Sequence, residues 1–149
     1  MNNMQKRARA IIVENGKLLT FKRNKDHKIY WVLPGGGVEE GETIEQTLKR
    51  ECMEELGVDV EVQEKLFEYV YAHEKFGPQH EDFYHCVITG GELGTGNGPE
   101  YQPNSGYEGT REIQWLEIKE IENFDLKPKE VRNKLAVALE SLEFTNYTN

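Results

Sequence analysis

Leu33-Pro34-Gly35-Gly36-Gly37-Val38-Glu39-Glu40-Gly41-Glu42 and, after seven more residues, Arg50-Glu51-Cys52-Met53-Glu54-Glu55-Leu56-Gly57-Val58 form the stretch that decides the reading of this chain. The first part holds four glycines between Pro34 and Gly41 and reads as a loop. The residues after it read as a helix. Thr43 can serve as N-cap, with Gln46 closing a capping box. Pro and Gly are absent from Ile44 to Leu56, and Gly57 is a natural stop. A helix turns by about 100° per residue, so Ile44, Leu48, Glu51 and Glu55 share one narrow stripe, with Glu54 on its flank. Ile44 and Leu48 are expected to face the core. Three carboxylates then converge where a purely structural helix would carry apolar residues.

That convergence has a cost. Like charges one turn apart repel by a few tenths of a kcal/mol when exposed, and more when half-buried. The helix C-terminus is also the negative end of the dipole. Something positive must offset this. Arg50 supplies one charge, and divalent cations would supply more, since hard cations prefer carboxylate oxygens. The bland alternative is a solvated acidic face. The stripe geometry and the preceding glycines, which let backbone approach a metal or phosphate closely, argue against it.

Gly36, five residues, Glu42, seven residues and then Arg50 to Val58 resembles the box of the Nudix hydrolase (MutT-like) family, G-x5-E-x7-R-E-U-x-E-E-x-G-U with U a bulky aliphatic. Every fixed position matches over 23 residues. The one departure is Cys52 at the first U, where a small buried hydrophobe is tolerable. The resemblance implies a Nudix fold of α/β (α+β) class, with a mixed β-sheet sandwiched between helices. It implies metal-dependent hydrolysis of a diphosphate linkage in a nucleoside diphosphate derivative, such as a nucleoside triphosphate, a nucleotide sugar or ADP-ribose. Glu51, Glu54 and Glu55 are implied ligands of Mg²⁺ or Mn²⁺, with the Gly35 carbonyl as a further ligand. Glu42 supports the site, Arg50 orients a glutamate, and Gly36 and Gly37 line it. Within the box the base is Glu54 or Glu51. Some family members take it from outside, and of Glu100, Glu108 and Glu112, Glu108 fits that role best. Lys22 and Arg23, read as the end of a strand, are candidate phosphate donors, with a plain basic surface as the alternative. A sensor that binds without cutting is a competing reading, but it would be expected to lack box carboxylates. An isomerase would need a reactive cysteine, and Cys52 sits at a packing position.

The remaining chain frames the box. Ala8–Val13 and Lys17–Lys22 flank Glu14-Asn15-Gly16, a hairpin signal. Tyr30–Leu33, residues 58–71, 83–89 and 112–118 read as strands. Pro128 opens a last helix with the stripe Val131, Leu135, Ala138, Leu139 and Leu142. Residues 91–109, rich in Gly, Pro, Asn and Ser, read as a flexible loop, and 145–149 as a frayed tail. His73, His80 and His85 lie near Glu81 and Asp82 without a zinc spacing. Tyr69, Tyr71, Phe76, Phe83 and Tyr84 include candidates for stacking on a base.

The 149 residues suit one domain, residues 1–149. Net charge −9 disfavours binding to DNA, because phosphates need neutralising. The expected partner is a small nucleotide-like molecule, and similar proteins are often homodimers. No apolar run reaches membrane-spanning length and no signal-peptide pattern is present, so the expected location is the cytoplasm. Cys52 and Cys86 read as free thiols.

Overall fold

A computed structural model of the chain describes residues 4–72, 77–98, 101 and 109–147, with side chains to 142. Its contacts divide into two units: Met1–Ile11 with Pro34–Tyr107, and Ile12–Leu33 with Glu108–Asn149. Each holds one sheet and one helix, a mixed α+β arrangement.

In the first unit the strands are β1 (Gln5–Ile11), β5 (Gly35–Gly37), β6 (Val58–Tyr71) and β7 (Gln79–Gly91), in the order β5-β1-β7-β6. β1 runs parallel to β7, while the other two pairings are antiparallel. Helix α1 (Ile44–Leu56) lies against β1, β5 and β6. Its core-facing side chains, Leu48, Cys52 and Leu56, are buried, as are Ala8 and Ala10 of β1. Both cysteines are free.

In the second unit β2 (Val13–Glu14), β3 (Lys17–Lys25), β4 (Lys28–Val32) and β9 (Leu126–Lys127) run in that order, and β8 (Thr110–Glu117) pairs with β3. Helix α2 (Arg132–Tyr147) follows a 3-10 turn, Lys129–Val131. The expected stripe Val131, Leu135, Ala138, Leu139 and Leu142 is buried. The Arg132 guanidinium, donating to the Leu126 carbonyl at 3.0 Å, ties the helix start to β9.

Four local readings change. The hairpin forms only between β2 and β3, across Asn15 and Gly16, both at positive φ. The residues before it, β1, join the other sheet. The glycines expected as loop form an edge strand instead, with Ala8 opposite Gly36. Lys22 and Arg23 lie within β3, which runs on to Lys25. Pro128 caps the 3-10 turn, so the α-helix begins four residues later than expected.

Candidate active site

Helix α1 is built as its sequence dictates. The Thr43 hydroxyl accepts from the Gln46 N–H at 3.1 Å, and the Gln46 side chain accepts from the Thr43 N–H at 2.9 Å. At the other end Gly57, at φ +80°, donates to the carbonyls of Cys52 and Met53. The remaining carbonyls of the last turn would be orphans. Residues after β7 satisfy them. Gly98 N–H reaches the Glu54 carbonyl (2.9 Å), Gly94 N–H that of Leu56 (2.9 Å), and the Tyr101 hydroxyl that of Glu55 (2.5 Å). A Cβ on Gly96 would fall 2.5 Å from the Glu54 carbonyl oxygen, so this segment needs glycine to lie so close. These donors draw off part of the negative potential at the helix end that carries the acids. The beginning of the segment expected as loop 91–109 is thus fastened to α1, and the part holding Glu100 and Glu108 lies outside the described residues.

Arg50 is the hub of the acids. Its Nε and Nη2 grip both oxygens of Glu42 at 2.8 and 3.0 Å, a bidentate pair. Nη1 reaches Glu51 at 3.0 Å and Glu54 at 3.3 Å, and Nη2 also donates to the Gly37 carbonyl at 3.1 Å. The Arg50 hydrogen bonds, helped by Thr47 and the Glu39 N–H, hold Glu42 down at a pKa of about 2. Glu55 is only 3% exposed and accepts from the Gly35 N–H at 2.8 Å. The three-glycine strand explains that contact. Ala8 and Gly36 bond each other across the ladder, so the polar groups of Gly35 and Gly37 point away from β1. One receives Glu55, the other Arg50, and the same alternation turns the Gly35 carbonyl to the open side.

Glu42, Glu51 and Glu54 thus share a single guanidinium, already engaged by Glu42. Burial pushes the Glu51 carboxyl up to about 7, the Glu55 charge adds to this, and Arg50 offsets only part. A Cβ on Gly36 would lie 2.5 Å from Glu51 Oε1, so glycine here makes room for the Glu51 carboxylate. Three carboxylates on one guanidinium and oxygen-only donors suit a hard divalent cation.

The other expected residues among those described have partners of their own. Lys22, Arg23 and Glu112 belong to the second unit, where Lys22 and Glu112 are register partners and Arg23 donates to the Thr110 carbonyl at 3.2 Å. His73 and Phe76 lie outside the described residues. His80 joins Glu68 and Asp82, with ligand atoms within 4.8 Å of one another. The Lys65 ammonium pairs with both carboxylates of that group, lying 3.0 Å from Asp82. His85 pairs with Glu64 at 3.5 Å. Burial pushes the Cys52 thiol well up, as suits a packing residue.

With this geometry in hand, kinship can be weighed. A family model, the NUDIX domain, matches residues 4–138. The chain belongs to the NUDIX family. It is 34% identical over 80 residues to the low-salt glycan biosynthesis protein Agl8 of Haloferax volcanii, covering 54% of this chain and 51% of that protein. It is 46% identical over 55 residues to the nucleoside triphosphatase NudI of Enterobacter sp. (strain 638), covering 35% and 39%. The chain thus spans about half or less of the length of these curated relatives. In structure it is similar to the E. coli ORF135 protein, with a TM-score of 0.68 and 23% identity over 99% of this chain and 94% of that one, a likeness of fold. No helix among the described residues is long and apolar enough to cross a membrane.

Proposed function

We propose that this NUDIX chain, working as one domain of residues 1–149, hydrolyses a diphosphate linkage in a nucleoside diphosphate derivative with the help of Mg²⁺ or Mn²⁺. The observation that carries this reading is the network in which Arg50 holds Glu42, Glu51 and Glu54 together while Glu55, buried and bonded to the Gly35 N–H, lies near enough to Glu51 for its charge to act there. Glu51, Glu54 and Glu55, with the Gly35 carbonyl, would hold the cation. When bound, the metal supplies Lewis-acid polarisation of the phosphoryl group and neutralises charge on its oxygens.

The chain's own groups then have distinct tasks. Glu55, fixed by the Gly35 N–H, is a rigid ligand. Arg50 holds Glu51 and Glu54 in place, and Glu42 holds Arg50. Glu54 is the most exposed of the three, and Arg50 engages only its Oε2. Oε1 of Glu54 is therefore the proposed acceptor of a water proton. Gly36 makes room for the Glu51 carboxylate, and Gly37 gives its carbonyl to Arg50. A cytoplasmic location accords with the proposed substrates.

The test is a panel of nucleoside triphosphates, ADP-ribose, UDP-glucose, diadenosine polyphosphates and NADH with Mg²⁺, run beside Glu54→Gln. Selective cleavage of one class, reduced by about 100-fold or more in the variant, supports the proposal. No metal-dependent cleavage of any compound by the wild type would overturn it.

A further inference from the structure

The first unit buries a second charged group outside the box. Glu81 of β7 is 1% exposed. Its Oε2 accepts from the Tyr71 hydroxyl at 2.8 Å and pairs with Arg7 Nε at 3.5 Å. Oε1 pairs with Arg9 Nε at 3.5 Å and takes no hydrogen bond among the described residues. Two guanidiniums thus lie against one buried carboxylate, beside the acids of the box.

We infer that Arg7 is a substrate-binding residue that takes a phosphate oxygen of the molecule held at the box, and that Glu81 positions it. This rests on the diphosphate reading above. The register brings Arg7 there: it lies opposite Gly37 on one side of β1 and opposite Glu81 on the other. Gly37 is the residue whose carbonyl Arg50 holds. Arg7 is also near enough to the box for the Glu51 charge to act on its guanidinium. Its side chain is 31% exposed, and its Nη groups donate no hydrogen bond among the described residues. It borders a cavity of about 640 Å³, lined also by Lys6 and Gly37 to Glu40, with room for a nucleotide-sized ligand. A guanidinium fork held by its Nε and open at its Nη groups matches phosphate geometry. An ion pair serving only to lock β1 to β7 gains most from turning the fork onto the carboxylate, and Arg7 does not do so.

The test uses Arg7→Gln, Arg7→Lys, Glu81→Gln and the double variant Arg7→Gln/Glu81→Gln. Steady-state kinetics on the best substrate is read beside calorimetric titration of inorganic diphosphate with Mg²⁺ present. Arg7→Gln is expected to raise KM and the diphosphate Kd by about tenfold or more, with kcat changed less than about threefold, whatever the change in Tm. Arg7→Lys should restore part of the affinity. Glu81→Gln should raise KM less, and the double variant should be no worse in KM than Arg7→Gln alone, because Glu81 acts through Arg7. A lowered Tm with KM and Kd unchanged would make the group a structural lock and overturn the inference, while cleavage by the wild type would keep the hydrolase reading alive. Arg7-dependent diphosphate binding without cleavage of any compound would leave the inference standing and sink the hydrolase reading.

Discussion

Two clusters of acids in the first unit look alike and are built for opposite ends. In the pair of strands β6 and β7, Glu68 and Asp82 meet His80. Lys65 lies between them and closes the charge from within. In the box, Glu42, Glu51 and Glu54 share Arg50, and Glu42 has already claimed it with a bidentate pair. The Lys65 ammonium is held more firmly protonated by its acids, and Glu68 is lowered in turn. Glu51, by contrast, is pushed up to about 7. Proximity of carboxylates does not by itself tell the two clusters apart; the balance of charge around them does.

The largest effect that could break this comparison comes from Arg50. Arg50→Ala removes the hub and leaves Glu42, Glu51 and Glu54 to repel one another. A loss of about 3 kcal/mol of stability in chemical denaturation is expected, with Mg²⁺ restoring part of it. A variant as stable as the wild type would show that the acids need no internal partner.

Next comes pH. Between about 4.5 and 7 the folded, metal-free chain keeps a proton on Glu51 that the unfolded chain has released. The contribution of Glu51 to stability thus falls as pH rises through that window and levels off above it. Mg²⁺ should accordingly raise Tm more near pH 8 than near pH 5.5, since binding must displace that proton at the lower pH. Equal shifts at both values would contradict the charge-balance reading.

A smaller effect is expected from Gly96→Ala. Its new Cβ would press on the last carbonyls of α1, loosening the segment that caps them. Activity should fall several-fold with little change in overall helicity by circular dichroism. The smallest effect sharpens the contrast from the other side. His80→Ala should leave the Mg²⁺ dependence of activity unchanged within about twofold, because surface pairs of this kind contribute little.

What could be read from the sequence was what is encoded locally. Thr43, Gln46 and Gly57 are cap signals within one helix, and they bound α1 correctly. The box spacing located the acids because one helix carries most of them. What could not be read was set by partners far along the chain. Gly35 to Gly37 looked like a loop because nothing local says that Ala8 will pair with Gly36 or that Glu51 will fill the space of a missing Cβ. The β1 strand was assigned to a hairpin because Asn15-Gly16 is a strong turn signal, while its parallel pairing with β7 leaves no local mark. The pairing of Arg7 and Arg9 with Glu81 leaves no local mark for the same reason. Tyr101 and Gly98 lay in a segment whose composition suggested only a loop, and their contacts with α1 are tertiary.

The central claim is that the box, and not the Lys65 cluster, is the cation site. Calorimetric titration of Mn²⁺ into the wild type, Glu51→Gln/Glu55→Gln and His80→Ala/Asp82→Asn tests it most directly. Binding should be present in the wild type, lost in the box variant and retained in the strand variant. Binding that survives the box variant and disappears with His80 and Asp82 would contradict the account.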